Sequence, residues 1–425
     1  MNQAEMEEMA LAFAAEGFKV VDPESEADAF VVNTCTVTAE ADRQLRQWLR
    51  SVRRRQPSSL LVAVGCAAER EAPQLLELAD VLVGNAAKNE VVTLVADRLS
   101  GDSAAPRTTA PVTAAGGLAA RTRSLLKIQE GCLAPCAYCV VPYVRRGEVS
   151  VALPEVLSVA RERIAAGHRE LILTGTRPGA YRDGDLRLAD LVRAVLDLPG
   201  LGRVRVSSLQ PQELSAALLS LWSDSRLCPH FHLSLQSGSA AVLRRMMRGY
   251  TPEGFMAALE DIRAAAPGAA VTTDVIVGFP GESEAEFEES VSFCERVGFA
   301  RIHVFPFSAR PGTRAAGMEG RVAPQVLKER ARVMHEVGQR GRLAYIDSSI
   351  GREIESLWEE ETGPGSGEYL GTSDNYLRLI CRSSTPLHNV LERVVVEGAE
   401  GEFVRVRRED EDTGGSETER EVPRR

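Results

Sequence analysis

Three cysteines lie close together in the stretch Cys132-Leu-Ala-Pro-Cys136-Ala-Tyr-Cys139, with the spacing C-x3-C-x2-C. Thiolates this close can hold three irons of a 4Fe-4S cluster, which leaves the fourth iron free to bind a chelating small molecule. A structural zinc site is the alternative, but it needs four ligands. The next histidine and cysteine along the chain are distant, at His168 and Cys228. The spacing therefore favours an iron–sulfur site with one open position.

Two further cysteines, Cys35 and Cys66, each follow a short apolar run, AFVVNT (29–34) and LLVAVG (60–65). Such runs are typical of buried parallel strands, whose carboxyl ends meet at one edge of a sheet. We expect both thiols at that edge, although isolated cysteines often only fill a core. The remaining three are expected to be core or surface residues: Cys228, Cys294 and Cys381.

The pattern of elements predicts an α/β protein of several modules. Residues 1–99 alternate helix-like and strand-like stretches, which indicates a parallel sheet. Residues 123–345 carry six strand–helix units, which suit a partial (β/α)6 barrel with its active site at the carboxyl ends of the strands. The remaining segments are predicted as follows: 100–122 a flexible linker, 346–409 a small β-barrel and 410–425 a disordered acidic tail.

The charge of the chain is uneven. The 425 residues carry a net charge of -10, which by itself opposes nucleic-acid binding. The stretch 43–55 nevertheless holds six arginines and no acid, on a predicted helix with Thr38 as its N-cap. Such an arginine-rich stretch is most often a solvated helix face. The alternative interpretation is that its arginines contact RNA phosphates. No apolar run could span a membrane and the start is polar and acidic, so we expect a cytoplasmic protein.

The loop EGCLAPCAYCVVPY (130–143) resembles the cluster loop of the radical S-adenosylmethionine (SAM) superfamily. Other motifs resemble its methylthiotransferase branch, and YLGTSDNYLRL (369–379) is similar to the TRAM β-barrel of those enzymes. The matching motifs are VNTCTVT (32–38), VAVGC (62–66), LTGTRPGAY (173–181), LSLQSGS (233–239), TDVIVGFPGE (273–282) and HVFPFSARPGT (303–313).

The resemblance implies two 4Fe-4S clusters and SAM. Cys132, Cys136 and Cys139 would ligate the radical cluster, and Cys35 and Cys66 would be two of three ligands of an auxiliary cluster. The family pattern has a strand ending in Gly-Cys-Lys-Val before Asn-Gln-x-Glu, whereas here Met1 directly precedes Asn2-Gln3-Ala4-Glu5. We therefore expect a misplaced chain start, or an impaired protein, and a second cluster in doubt.

Four more residues are candidates for SAM binding by the same resemblance. They lie within or after predicted strands of the barrel series: Gly175, Gln236, Asp274 and Gly278. Each glycine could equally be an ordinary strand-to-loop turn, and the two polar residues could be satisfied core groups.

The resemblance is strongest to bacterial enzymes that add a methylthio group to carbon-2 of N6-threonylcarbamoyladenosine at tRNA position 37. Related enzymes act on isopentenyl-adenosine or on a ribosomal protein, and a non-catalytic tRNA-binding protein with a structural metal site is an alternative of another class. The expected partners are a tRNA anticodon stem-loop and a flavodoxin- or ferredoxin-type electron donor, with a monomeric protein. The RNA-binding candidates are Arg43, Arg46, Arg50 and Arg53.

Overall fold

A computed structural model of the chain describes residues 1–70, 75–100, 122–145 and 147–408. The interior of the predicted linker and the predicted acidic tail lie outside these ranges. The described part has the predicted α/β architecture, with a parallel α/β domain, a partial barrel and a small closed β-barrel. Among its helices, none is long and apolar enough to cross a membrane.

The N-terminal domain is a three-stranded parallel sheet with helices packed on it. Its elements are α1 (Asn2–Ala15), β1 (Ala29–Thr34), α2 (Ala39–Arg55), β2 (Leu60–Gly65), α3 (Cys66–Arg70), β3 (Val81–Val83) and α4 (Val91–Ser100). The strand order is β1-β2-β3, and Thr34 pairs with Gly65 where β1 and β2 end. A 3-10 turn, Asn85–Glu90, directly precedes α4.

Helix α2 is specified by its own sequence. The Thr38 side chain accepts a hydrogen bond from the Ala41 amide at 3.1 Å, which confirms the predicted N-cap. Acidic residues occupy the first turn and arginines the last, as the helix dipole favours. Leu45, Leu49 and Val52 recur on one face and are buried against the sheet, so the arginines between them face outward.

The central domain is an open barrel of six parallel strands, with three further strands of two or three residues added to it. Its strands are β4 (Arg123–Gly131), β5 (Glu148–Ser150), β6 (Glu170–Gly175), β7 (Arg182–Asp183), β8 (Leu186–Arg187), β9 (Arg203–Val206), β10 (His230–His232), β11 (Ala270–Val277) and β12 (Arg301–Pro306). Its helices are α5 (Val141–Val144), α6 (Leu153–Ala165), α7 (Leu188–Leu196), α8 (Ala216–Leu219), α9 (Ala240–Arg245), α10 (Pro252–Ala265), α11 (Glu284–Val297) and α12 (Pro324–Asp347).

Strand pairing sets the order β4-β6-β9 in one sheet and β10-β11-β12 in the next. A parallel bridge between Leu209 and Leu233 joins them, so the barrel opens between β4 and β12. The short antiparallel strand β5, which the sequence did not predict, pairs with β4 at the first edge. Alternate side chains such as Leu171 and Val275 enter the helix-packed core, so their neighbours in sequence face the barrel interior.

The interior face of this barrel is polar. Its residues include Lys127, Thr174, Arg205, His232, Asp274 and His303, one from each strand. At the amino ends of the strands Glu170 binds both Arg203 and Arg205, at 2.6 and 2.8 Å. These arginines also donate to the carbonyls of Thr372 and Ser373, which fixes the C-terminal domain against that end of the barrel.

The C-terminal domain is a closed five-stranded barrel, as the alternation beyond residue 350 predicted. Its strands are β13 (Glu353–Glu361), β14 (Glu368–Ser373), β15 (Arg378–Arg382), β16 (Leu391–Glu400) and β17 (Phe403–Arg408). They close in the order β13-β14-β15-β17-β16 around a core that includes Trp358 and Leu379. Closure leaves no free strand edge in this domain.

Candidate functional site

The three clustered cysteines occupy the loop that leaves the carboxyl end of β4. The turn begins at Gly131, whose φ of +77° favours glycine and where a side chain would collide with the Gly147 carbonyl. Cys132, Cys136 and Cys139 are all half-buried. The Ala134 amide donates to the Cys132 sulfur at 3.4 Å, and the Cys139 amide donates to the Cys136 carbonyl at 3.0 Å. The loop thus holds its thiols by local backbone contacts.

Neighbouring segments anchor this loop. The Ala137 amide donates to the Met246 carbonyl, and the Ala137 carbonyl accepts from the Ala315 amide, at 2.9 and 2.8 Å. Arg248 donates from Nη1 to the Cys136 sulfur at 3.3 Å and from Nε to the Tyr250 hydroxyl at 2.9 Å. A guanidinium therefore lies directly against the cysteine loop.

The pKa values of two of these thiols, Cys132 and Cys139, are raised. Burial raises the pKa of Cys132, and it raises the pKa of Cys139 to about 11 with a further contribution from the charges of Cys136 and Cys132. The three sulfurs are thus within electrostatic reach of one another. Across the described residues, however, no three His, Cys, Asp or Glu side chains are close enough together to hold a metal. Thiolates are the form that ligates metal, so loading this loop must release protons.

The two candidate glycines end strands β6 and β11, and both have a packing reason to be glycine. A Cβ on Gly175 would lie 2.9 Å from the Gln129 carbonyl oxygen of the paired strand. Gly278 has a φ of +72°, donates its amide to the Glu282 carboxylate at 2.6 Å, and leaves no room for a Cβ beside Leu327. SAM contact by either glycine stays a prediction.

Gln236 and Asp274 lie side by side on the barrel. Gln236 is buried with a φ of +70°, and its amide donates to the Asp274 carbonyl at 2.8 Å. Strand β10 ends at His232, four residues before Gln236. The Asp274 carboxylate lies 3.2 Å from His232 Nε2, and the other ring nitrogen of His232 contacts the Thr272 hydroxyl at 3.0 Å. A SAM-binding role for either residue stays a prediction.

Cys35 and Cys66 directly follow the paired residues Thr34 and Gly65, so the sheet register places them at one edge. Burial raises the pKa of Cys35, and the charge of Cys66 raises it further. Cys66 is buried with Val140 and Val144, the residues just beyond the barrel cysteines. Its sulfur accepts from Asn85 at 3.6 Å, and the same amide donates to the Val144 carbonyl at 2.5 Å. The structure therefore brings the two groups of cysteines to one domain junction.

The four arginine candidates of α2 differ in their surroundings. Arg43 and Arg50 are exposed, and Arg43 pairs with Glu40 one turn earlier. Arg46 is half-buried. Arg53 binds both Asp80 oxygens at 2.7 and 2.6 Å and the carbonyls of Pro57 and Ser59. RNA contact by these four arginines stays a prediction. The hydrogen bonds of Arg53 join α2 to Asp80 and to the segment that follows the helix.

Comparisons with known proteins agree with this architecture. Residues 126–294 match the model of the radical SAM superfamily, and residues 1–84 match the uncharacterized protein family UPF0004. A relative from Chlamydia pneumoniae, threonylcarbamoyladenosine tRNA methylthiotransferase MtaB, is 35% identical over 392 residues, which cover 91% of each chain. MtaB of Bacillus subtilis is 32% identical over 428 residues, covering 96% of this chain and 94% of the relative. The chain belongs to the radical SAM methylthiotransferase family.

A second type of methylthiotransferase is equally similar. The tRNA-2-methylthio-N(6)-dimethylallyladenosine synthase of Novosphingobium aromaticivorans is 35% identical over 387 residues, covering 88% of this chain and 87% of that protein. Among solved structures, the methyltransferase TsrM from Kitasatospora setae, with cobalamin and a 4Fe-4S cluster bound, has a TM-score of 0.52. It is 13% identical and covers 74% of this chain and 69% of its own, so it supports the fold alone.

Membership of this methylthiotransferase family implies a 4Fe-4S cluster and SAM, and the barrel loop fits the cluster by its donor set. It offers three half-buried thiols within electrostatic reach of one another, at the carboxyl end of a barrel strand. Three ligands leave one iron open for SAM. The N-terminal edge offers two thiols, Cys35 and Cys66, which by themselves are an incomplete set for a second cluster.

Two features near the cysteines of this methylthiotransferase were not predicted from the sequence. Arg248 contacts Cys136 although the two residues are 112 positions apart in the sequence. No sequence motif indicates this contact. The second is a buried network in which Glu5 binds Lys88 and Arg145, both at 2.6 Å, and accepts from Asn33 at 2.8 Å. Burial raises the pKa of Glu5, but Arg145 and Lys88 outweigh it and hold the pKa at about 2. The motif Asn2-Gln3-Ala4-Glu5 was the only sequence signal for this network.

Proposed function

We propose that this protein is a tRNA methylthiotransferase that adds a methylthio group to carbon-2 of N6-threonylcarbamoyladenosine at position 37. The observation that carries the proposal is the three-cysteine loop at the carboxyl end of β4, with Cys66 packed against the residues that follow it. The names of the MtaB relatives supply the modified base.

In this proposal Cys132, Cys136 and Cys139 hold the radical cluster. When bound, the cluster and SAM supply a 5′-deoxyadenosyl radical, which is the chemistry of the cofactor rather than of the protein. Arg248 keeps a positive charge against Cys136, and so offsets negative charge on the thiolates. Gly175 ends β6, Gly278 directly follows β11, and Gln236 donates its amide to the Asp274 carbonyl within β11. All four residues are proposed to contact SAM.

Cys35 and Cys66 are proposed to ligate an auxiliary cluster that takes part in sulfur supply. Support comes from their common sheet edge and from the contact of Cys66 with Val140, which directly follows Cys139. Sulfur held there would lie next to the site where the radical forms. Because the described residues at this edge contribute two thiols, the number of irons bound is itself a test of this assignment.

The tRNA is proposed to bind through the exposed arginines of α2 and the C-terminal barrel. An anticodon loop presents unpaired bases, so little energy is needed to bring one base to the radical. A cytoplasmic location, a monomeric state and a flavodoxin- or ferredoxin-type electron donor are retained as proposals.

The dimethylallyladenosine synthase of N. aromaticivorans has the same sequence identity to this chain as the first MtaB. An isopentenyl-adenosine tRNA is therefore the second candidate substrate. The test uses the full chain reconstituted anaerobically with iron and sulfide, then given SAM, reductant and anticodon stem-loops. The stem-loops differ only in the N6 substituent of A37, and their nucleosides are measured by mass spectrometry. Methylthiolation of the threonylcarbamoyl form supports the proposal, and modification of the isopentenyl form alone reassigns the substrate. Bound zinc with no SAM cleavage overturns the enzyme assignment.

A further inference from the structure

Strand β12 is an open edge of the barrel, and it forms one wall of a cavity of about 690 Å³ that we name the edge cavity. Helix α12 forms a second wall, and the turns before β15 and β17 form the third. The cavity does not include the cysteine loop. Its lining includes charged and aromatic side chains: Arg301, Phe305, Arg342, Tyr376, Arg378 and Glu402.

Helix α12 packs closely against β12 at the side of this cavity. Gly338 and Gly341 lie inside the helix, where glycine is less favourable than alanine. A Cβ at Gly338 would lie 3.2 Å from the Ile302 Cβ, and one at Gly341 would lie 2.5 Å from the Phe299 carbonyl oxygen. The two glycines therefore let the helix approach the strand closely, and Arg342 is carried in beside Arg301.

The cavity has more positive than negative charge. Arg342 donates to the Gly401 carbonyl at 3.4 Å, and Arg378 lies 3.9 Å from the Glu402 carboxylate. Arg301 has no hydrogen-bond or ion-pair partner within the ranges that the structure describes. Burial lowers the pKa of Arg342, and the charge of Arg301 lowers it further, so these two guanidinium groups repel each other. Three arginines thus face one carboxylate in a protein whose net charge is -10.

An aromatic ring stands on the same strand face as Arg301. Phe305 lies four residues further along β12 and is 41% exposed, which is unusual for a phenylalanine. The ring of Tyr376 is already occupied, since it stacks on His230 at 4.5 Å and lies under the Arg205 guanidinium at 4.9 Å. Of the phenylalanine and tyrosine rings that line this cavity, Phe305 is therefore the one that is free to stack on a base.

The strand also connects the cavity to the arginine-rich helix. Just beyond β12, the Ser308 hydroxyl accepts from the Ala39 amide at 3.1 Å, and Arg310 binds Asp42 and Thr36. The start of α2 therefore lies near the carboxyl end of β12, whereas Arg301 is the first residue of β12. The six residues of β12 span roughly 20 Å, so the start of α2, whose first turn is acidic, lies about that far from Arg301.

We propose that the edge cavity binds the RNA strand next to the target nucleotide, with a backbone phosphate on Arg301 and Arg342 and a base on Phe305. This proposal rests on the proposed function, since it takes tRNA as the substrate. Arginine is suited to phosphate because its planar fork matches two phosphate oxygens. A phosphate between the two guanidinium groups would also relieve their repulsion.

The test measures binding of anticodon stem-loops to the cluster-loaded full chain as a function of salt. Arg301→Ala with Arg342→Ala is expected to weaken binding on the order of tenfold and to reduce the salt slope by about 0.7, the value for one lost phosphate contact on a single strand. Phe305→Ala is expected to weaken binding roughly fivefold or more with an unchanged salt slope. Arg340→Ala is the matched control, since Arg340 lies on the same helix and pairs with Glu295.

Three stem-loops, with A37 unmodified, threonylcarbamoylated or isopentenylated, separate the sources of the anion. Equal loss on all three supports a backbone phosphate, and loss confined to the threonylcarbamoyl form overturns it in favour of the base carboxylate. If wild type methylthiolates tRNA while the double variant binds like Arg340→Ala, the inference fails and the proposed function stands. If wild type binds through these arginines but transfers no methylthio group, the proposed function fails and the inference stands.

Discussion

The two groups of cysteines in this chain are built in opposite ways. The barrel group takes Cys132, Cys136 and Cys139 from one loop, held by its own backbone hydrogen bonds. The N-terminal group takes Cys35 and Cys66 from two strands, and only the pairing of Thr34 with Gly65 brings them together.

This difference makes the N-terminal group dependent on distant residues. Asn33, one residue before Thr34, binds Glu5, and the Lys88 that pairs with Glu5 passes close to Gly65. The strand ends that carry Cys35 and Cys66 thus depend on a buried ion network, whereas the barrel loop is held by its own turns and by backbone hydrogen bonds to Met246 and Ala315. Changes to the barrel loop should therefore remove chemistry without unfolding the protein, and changes to the network should affect stability first.

The largest effect is expected from Cys132→Ala, Cys136→Ala and Cys139→Ala combined. Removing all three thiols leaves the radical cluster without a protein ligand, so cleavage of SAM to 5′-deoxyadenosine should fall to background. About four irons per chain should be lost. Liquid chromatography of the reaction and iron analysis measure both; the Cys294→Ala variant, altered at a buried helix residue, should keep both. Continued cleavage would refute the assignment of this loop.

Next in size is the effect of Cys35→Ala with Cys66→Ala. Because these thiols are proposed to serve sulfur supply rather than radical formation, SAM cleavage should persist while the methylthio nucleoside disappears. Both products can be measured in the same reaction by mass spectrometry. If cleavage and methylthiolation fell together, the two groups would not have separate roles.

A smaller effect, on stability, is expected for Glu5→Gln. The change leaves the buried Lys88 without its carboxylate and Arg145 with Glu130 alone, which should cost about 3 kcal/mol and lower the thermal unfolding midpoint. Glu24→Gln is the control, since Glu24 is 84% exposed and pairs with Arg55 at the surface. Equal midpoints for the two variants would show that the network does not support the domain.

The same carboxylate predicts a pH dependence. The folded pKa of Glu5 is about 2, below its ordinary value of 4.5, so its contribution is present above pH 4.5 and is lost as the pH falls towards 2. Wild type should lose stability across this window more steeply than Glu5→Gln, by on the order of 3 kcal/mol in total. Parallel acid titrations followed by circular dichroism measure the difference; coincident curves would contradict it.

The smallest effects are expected on α2, where Arg50 and Arg53 can be compared. Arg50→Ala removes an exposed charge and should lower the salt slope of stem-loop binding by about 0.7 without loss of stability. Arg53→Ala breaks the pair with Asp80, so it should cost up to about 1 kcal/mol of stability and leave binding almost unchanged. The opposite pattern would mean that Arg53 contacts RNA.

Local features were predictable from the sequence, and long-range contacts were not. Strands β1 and β2, the Thr38 cap and the cysteine loop depend on neighbouring residues, and the structure has them where the patterns predicted. Arg248 and Glu5 reach partners 112 and 140 positions away, and periodicity carries no record of such pairs. The edge cavity likewise needs α12, β12 and two turns of the C-terminal barrel at once.

The most direct test of two separate cysteine sites is Mössbauer spectroscopy, with iron analysis, of the barrel triple variant reconstituted anaerobically. Cys132→Ala, Cys136→Ala and Cys139→Ala together are expected to leave about four irons bound as a cluster. Addition of Cys35→Ala and Cys66→Ala is expected to remove these irons. A triple variant that binds no iron, while wild type binds about four, would contradict the existence of a second site.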